Sequence, residues 1–198
     1  HAIFAEDDRV IDTVASSIQK LNQLKHLVFE SSTIVSDRLL SRLPRDLVCV
    51  QLINCWEVTS DHFAKFLGTH GSQLRFLTLN HNQSLDLAFL TDLATSCPNL
   101  EELCMNMSYY RLHDSINDSD PLYDQALLPG QVPLWPSSLR VIEIDHIRQW
   151  SIEAAEMFLQ SLIDGAPNLP NLRHLTIKTM LDVPWQRRAE MRKGWREK

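Results

Sequence analysis

Six short segments of the chain share one arrangement of apolar and polar positions. In each, apolar residues occupy the first, fourth and sixth places of a frame, L-x-x-L-x-L, and mixed residue types stand between them. The frames begin at Leu24, Leu47, Leu74, Leu100, Leu139 and Leu172. Because successive residues of a strand face opposite sides, the frame predicts a strand with one buried and one outward side. Its recurrence predicts stacked units that bury their apolar residues only against one another.

Apolar residues at helical spacing lie between the frames and before the first one. These helical patterns cover residues 8–22, 36–43, 62–67, 87–94 and 151–163. Asp7 or Asp8 can cap the first helix, and Ser151 is a good N-cap for the last. Strand and helix therefore alternate along the chain, which predicts an α/β fold with a strand layer and a helix layer.

Two longer stretches resemble a known repeat. Residues 93–103, LATSCPNLEEL, follow the junction L-A-x-x-C-P-x-L-x-x-L, and residues 52–61, LINCWEVTSD, follow L-x-x-C-x-x-I-T-D with Ser60 in the Asp place. Both resemble the cysteine-containing leucine-rich repeats of F-box/leucine-rich-repeat proteins, which are similar to the ribonuclease-inhibitor-like superfamily. The resemblance implies a leucine-rich repeat solenoid of about six strand–helix units, with a parallel concave sheet and a capping helix at each end.

We interpret residues 1–198 as a single leucine-rich repeat domain. Residues 1–23 form an N-terminal capping helix, residues 24–181 hold the repeats, and residues 182–198 form a C-terminal basic helix. That last segment carries six Lys or Arg residues against two Glu. It is either a cap whose basic side is solvated or a basic binding helix.

Proteins with these repeats usually carry an F-box, which binds the Skp1 subunit of a ubiquitin ligase. Residues 43–47, LPRDL, echo the opening of an F-box, but Leu47 already begins the second frame. We therefore expect Skp1 binding only if an F-box lies before His1, in a longer protein of which this chain is a fragment.

The regular spacing of the frames breaks after Leu100. The first four frames begin 23 to 27 residues apart, whereas Leu100 and Leu139 are 39 residues apart. The irregular insert, at about residues 106–137, carries aromatic residues among acidic ones, which is typical of interfaces. Two interpretations stay open. The insert either buries its own aromatic side chains against the repeats or contacts a partner with them.

Composition narrows the classes of function. The net charge of −6 disfavours nucleic acid as a partner, and no apolar run is long enough to span a membrane. Four cysteines without a C-x-x-C pair indicate reduced structural thiols. We expect an intracellular protein, cytoplasmic or nuclear.

The chain has no G-x-S-x-G, H-E-x-x-H, P-loop or G-x-G-x-x-G motif, so we predict neither an enzyme nor a cofactor. The frame places no two histidines at equivalent positions of neighbouring strands, so we predict no metal site. Two alternatives stay open: a non-catalytic scaffold of a nuclear or chromatin-associated assembly, and a GTPase activator using an exposed arginine. The candidate arginines are Arg75, Arg140 and Arg173.

The predicted function is a protein–protein interaction module, serving as the substrate-recognition or adaptor domain of an F-box-type ubiquitin ligase. Its protein partner would lie on the concave sheet, against the outward residues between the leucines. The predicted partner-binding residues of the frames are His26, Val28, Gln51, Phe76, Thr78, Glu102, Glu143, His146 and His174. Three insert aromatics are added to them: Tyr109, Tyr110 and Trp135.

Overall fold

The structure is a computed structural model that describes residues 8–111 and 114–180, with side chains described outside 110–118. Six strands form one sheet, every neighbouring pair is parallel, and they lie side by side in chain order. These strands are β1 (His26–Glu30), β2 (Cys49–Ile53), β3 (Phe76–Asn80), β4 (Glu102–Asn106), β7 (Val141–Ile147) and β8 (His174–Thr179). In the insert, β5 (Tyr110–Arg111) and β6 (Asp114–Asp118) form a separate antiparallel hairpin.

Five α-helices occur in the described part of the chain. They are α1 (Asp8–Gln19), α2 (Asp37–Leu40), α3 (Ser60–His70), α4 (Leu93–Ser96) and α5 (Ile152–Gly165). The Ser151 side chain accepts a hydrogen bond from the Ala154 amide and caps α5 as predicted. The α/β class is therefore confirmed. The predicted helix at 87–94 is instead a 3₁₀ helix, Ala88–Asp92, that continues into α4.

The strand register is the one that the frame predicts. The third-place residue of each frame lies beside the third-place residue of the next, as His26 does beside Cys49 and Phe76 beside Glu102. In β3 and β4 burial alternates strictly, with the leucine positions buried and the residues between them half-buried. The period of two along each strand thus separates the sheet into two faces with different compositions.

The leucine face of the sheet and all five helices share one hydrophobic core. Helix residues such as Ile11, Leu39, Phe63, Leu93 and Phe158 belong to the same cluster as the buried strand residues. A helix layer therefore covers the leucine face, while the opposite face of the sheet carries the residues between the leucines.

The side chain of Asn82, in the turn after β3, bonds to the backbone of β2 and of the turn that follows β2. Its side chain is 2% exposed; the amide Nδ2 donates to the Leu52 carbonyl at 2.8 Å, and Oδ1 accepts from the Cys55 amide at 2.9 Å. The Cys55 thiol in turn donates to the Phe29 carbonyl at 3.6 Å. These bonds run from one strand–helix unit to the next and satisfy backbone groups that the strand ladder leaves open.

Residues 1–7 and the predicted basic helix at 182–198 lie outside the described residues. Within the described part, no helix combines the length and apolar character needed to cross a membrane.

Replacement of Asn82 with Ala should lower the free energy of unfolding by about 2–4 kcal/mol, because a buried carbonyl and a buried amide lose their partner. Urea unfolding measures the change. Asn80→Ala is the matched control. The Asn80 side chain is half-buried on the face of the sheet opposite to the leucines, so we expect its replacement to lower the free energy of unfolding by at most about 0.5 kcal/mol. Equal losses from the two variants would contradict the role assigned to Asn82.

His70 links stability to pH. Its ring is buried at the end of α3, stacks on Phe66 with 4.9 Å between ring centroids, and Nε2 donates to the Leu43 carbonyl at 3.0 Å. Burial, assisted by the charge of Arg45, lowers the pKa of His70 below its ordinary value of 6.5. Below pH 6.5 the unfolded chain therefore binds a proton that the folded chain resists.

The stabilising effect of neutral His70 should be complete above pH 6.5 and should be lost as the pH falls from 6.5 towards the lower pKa of the folded state. We expect the free energy of unfolding of His70→Gln to depend less on pH between about 5 and 6.5 than that of the wild type. Urea unfolding at several pH values tests this. Identical slopes would show that His70 is not the responsible group.

Candidate partner-binding face

The outer sheet face is defined by the third, fifth and seventh places of the six frames. The third-place residues are His26, Cys49, Phe76, Glu102, Val141 and His174, and the fifth-place residues are Val28, Gln51, Thr78, Cys104, Glu143 and Thr176. Except for Cys49, which is 7% exposed, all of them are half-buried or exposed. The parallel ladder holds these side chains in fixed rows, and neighbours within a row lie about 4.8 Å apart.

The rows place eight predicted partner-binding residues on this one face. They are His26, Val28, Gln51, Phe76, Thr78, Glu102, Glu143 and His174. No described contact identifies a partner, so their role in binding stays a prediction.

On the first three strands, the third- and fifth-place residues of the outer sheet face include no carboxylate, and Val28 and Phe76 are the large apolar side chains among them. Val28 is 52% exposed and lies beside Gln51, which lies beside Thr78. The guanidinium carbon of Arg75 lies 5.6 Å from the centroid of the Phe76 ring. This cation–π contact helps to orient the ring within the third-place row.

The last three strands give the outer sheet face an acidic part. Glu143 is 45% exposed at its side chain and pairs with His174, with 2.9 Å between Oε1 and Nε2. In the seventh place, Asp145 pairs with Lys178 at 2.8 Å. Glu102 lies beside Phe76 on one strand and Val141 on the other. Carboxylates of neighbouring strands therefore share one region of the face.

The carboxylates of this region affect the pKa of the Cys104 thiol. Cys104 lies between Thr78 and Glu143 in the fifth-place row. Partial burial, and then the negative charges of Glu143 and Glu102, raise the pKa of Cys104 to about 11. The thiol is therefore protonated and weakly nucleophilic at neutral pH.

Two of the arginines considered for a GTPase activator are engaged beside the outer sheet face. The carboxylate of Glu101 forms salt bridges with Arg75 at 2.5 Å and with Arg140 at 3.3 Å. The Glu101 side chain is only 15% exposed. The three residues form an ion network across β3, β4 and β7 at the start of the strands. Such a network is a structural use of these arginines, since both guanidinium groups already have an acidic partner.

His146 occupies a different environment from the other predicted residues. It follows Asp145 at a register irregularity between Ile144 and Ile147, and its φ of 63° is left-handed. Ser31, Asn54 and His81 hold the equivalent left-handed position after earlier strands. His146 therefore lies at the irregular end of β7 and outside the third- and fifth-place rows.

Two of the insert aromatics that we predicted to contact a partner are buried, which corrects that prediction. Tyr109 is 2% exposed, contacts the Tyr123 hydroxyl at 3.2 Å and lies under Arg148. Trp135 is 9% exposed and donates from Nε1 to the Ser161 hydroxyl at 3.0 Å. Both rings are largely buried in the core, so neither presents the exposed aromatic surface that we predicted for partner contact. The side chain of Tyr110 lies outside those described.

The structure adds residues that the prediction omitted. Cys104, Val141 and Thr176 share rows with predicted residues, and Asp145 and Lys178 continue the face by one further place. The frame itself contained this information, because every third- and fifth-place residue of a registered stack faces the same side.

A separate groove of about 450 Å³ lies in the helix layer, between residues 132–135 and α5. Leu134, Trp135 and Met157 contribute apolar walls, while Gln160 and Asp164 at its border bond to each other at 2.6 Å. Among the described residues, no cluster of three or more His, Cys, Asp or Glu side chains can hold a metal ion. The described candidates for binding are therefore the concave shape of this groove and the charged, registered rows of the outer sheet face.

Comparison with known proteins leaves the family open. No protein-family model matches the chain, and no curated protein is significantly similar to it.

The acidic part of the outer sheet face can be tested through Cys104. Glu102→Gln with Glu143→Gln should lower the pKa of the thiol and so increase the rate of its alkylation by iodoacetamide about two- to fivefold at low salt. Peptide mass spectrometry at a mildly alkaline pH measures the rate at Cys104 alone. The matched control, Asp92→Asn with Glu153→Gln, removes the same charge from the helix layer and should leave the rate unchanged.

Proposed function

We propose that the chain is a leucine-rich repeat solenoid that binds another protein on its outer sheet face. The proposal of a solenoid is supported by six parallel strands in chain order, by the shared register of six frames and by the Asn82 bonds between successive turns. In a solenoid of this type the strands line the concave side, which then corresponds to the outer sheet face.

The observation that carries the binding proposal is the contrast between the two faces of one sheet. Helices close the leucine face, where side chains such as Leu77 and Leu103 are buried. The outer sheet face carries apolar, aromatic and acidic side chains in registered rows, and all of its third- and fifth-place residues except Cys49 are half-buried or exposed. A surface of mixed chemistry held on a rigid sheet suits specific recognition of a folded or extended protein segment.

The resemblance to F-box/leucine-rich-repeat proteins extends this proposal. On that basis the bound protein is a substrate or an adaptor partner of a ubiquitin ligase. A substrate, unlike a stable adaptor partner, accumulates when the ligase component is removed. Protein levels after depletion of this chain therefore separate the two uses.

Alanine at Phe76, Glu102 and Glu143 together should reduce partner binding at least about tenfold, because the triple variant removes the aromatic and acidic centre of the outer sheet face. Quantitative affinity purification with wild-type and variant chains identifies the proteins whose recovery changes. Their affinity is then measured directly with purified components.

A control variant with alanine at Asp92, Glu153 and Ile163 changes exposed residues of the helix layer and should bind as the wild type does. Thermal unfolding must show that both triple variants remain folded. If the outer-face variant retains every partner of the wild type, the proposed function is wrong.

A further inference from the structure

The centre of the outer sheet face combines a carboxylate with two apolar walls. Glu102 lies in the third-place row, with Phe76 beside it on β3 and Val141 beside it on β7. All three side chains are half-buried, so each still presents surface to solvent. A side chain placed over Glu102 would contact hydrocarbon on both sides and a negative charge beneath.

A second carboxylate lies close to the first. Glu143 is one strand across and two residues along from Glu102. Strands about 4.8 Å apart and a rise of about 3.3 Å per residue put these two positions about 8 Å apart. That separation is no greater than the screening length at physiological salt, so both charges act on the same bound group. The negative charges of both carboxylates also contribute to the raised pKa of Cys104, which lies beside Glu143.

The nearby basic side chains pair with acids other than Glu102, and the guanidinium of Arg75 also lies 5.6 Å from the centroid of the Phe76 ring. Arg75 and Arg140 pair with Glu101, and Lys178 pairs with Asp145. Glu143 has His174 as its partner, which is charged only when protonated. Among the described residues no salt bridge reaches Glu102. The centre of the face therefore keeps negative charge that a partner can neutralise.

We infer that the outer sheet face recognises a protein segment carrying a lysine or arginine beside an apolar residue, with the basic side chain seated over Glu102. This inference rests on the proposed function and specifies its partner. The aliphatic stem of the basic residue packs between Phe76 and Val141, and its charged end reaches Glu102 and Glu143. The neighbouring apolar residue packs towards the Thr78 and Gln51 side of the face, near exposed Val28.

The same charges disfavour an anionic ligand. A phosphate backbone or an acidic peptide would bring further negative charge against Glu102, Glu143 and Asp145, with unfavourable electrostatics. A neutral apolar segment would bury the Glu102 carboxylate without a partner for its charge. Only a cationic side chain with a long hydrocarbon stem satisfies both the walls and the charge.

The test uses a display library of random heptapeptides selected against the folded wild-type chain. Enriched sequences should be richer in Lys or Arg next to an apolar residue than the starting library. A synthetic peptide of the enriched sequence is then compared with an analogue in which norleucine replaces the basic residue, so that the stem stays and the charge is lost. Fluorescence anisotropy should show at least about tenfold weaker binding of the analogue.

The variants separate this inference from the function it rests on. Glu102→Gln with Glu143→Gln should abolish the preference for the basic peptide over its norleucine analogue, while Asp92→Asn with Glu153→Gln should keep it. Peptides that need Phe76 and Thr78 but show no basic preference would overturn the inference and leave the proposed function standing. Selected peptides that are insensitive to every outer-face substitution, or a selection that enriches none, would overturn both.

Discussion

The parallel register of neighbouring strands is the constraint on which the rest of the structure depends. Each frame alone exposes its leucines, because a single strand and helix cannot enclose them. When the frames stack with third place beside third place, the leucines form one continuous layer under the helices. The same register necessarily lines up the remaining residues on the opposite face, so the core and the candidate site have one origin.

The turns after the strands maintain that register. Asn82 bonds backbone groups of the preceding unit, and the left-handed residues at Asn54 and His81 return the chain towards the helix layer. Their amides also continue the strand ladder by one step, to Asn80 and Asn106. A slip of one residue would break these bonds and would move the leucines to the outer sheet face.

The sequence was sufficient to predict the strands, their order and their register, because a period of two combined with a repeated frame leaves one consistent arrangement. It also located the cap of α5 at Ser151. It was insufficient for the insert, where the frame is interrupted. Tyr109 and Trp135 are largely buried in the core, and burial of this kind has no local pattern in the chain. The pairing of Arg75 and Arg140 with Glu101 likewise depends on three different strands.

The outer sheet face therefore differs from the core in how it is specified. Its position follows from the leucines, while its chemistry depends on residues such as Glu102 and Cys104 that the leucines do not constrain. This division explains why stability and binding should respond to different substitutions. A change at Asn82 acts on the stack, whereas a change at Glu102 acts on what the stack presents.

The most direct measurement is photo-crosslinking of the intact protein inside cells, with a benzophenone amino acid placed at single sites. Thr78 lies at the middle of the outer sheet face, and Asp92 is exposed in the helix layer. Our account predicts covalent partner adducts from position 78 and none from position 92. Adducts from position 92 alone would contradict it, because the partner would then bind the helix layer and not the outer sheet face.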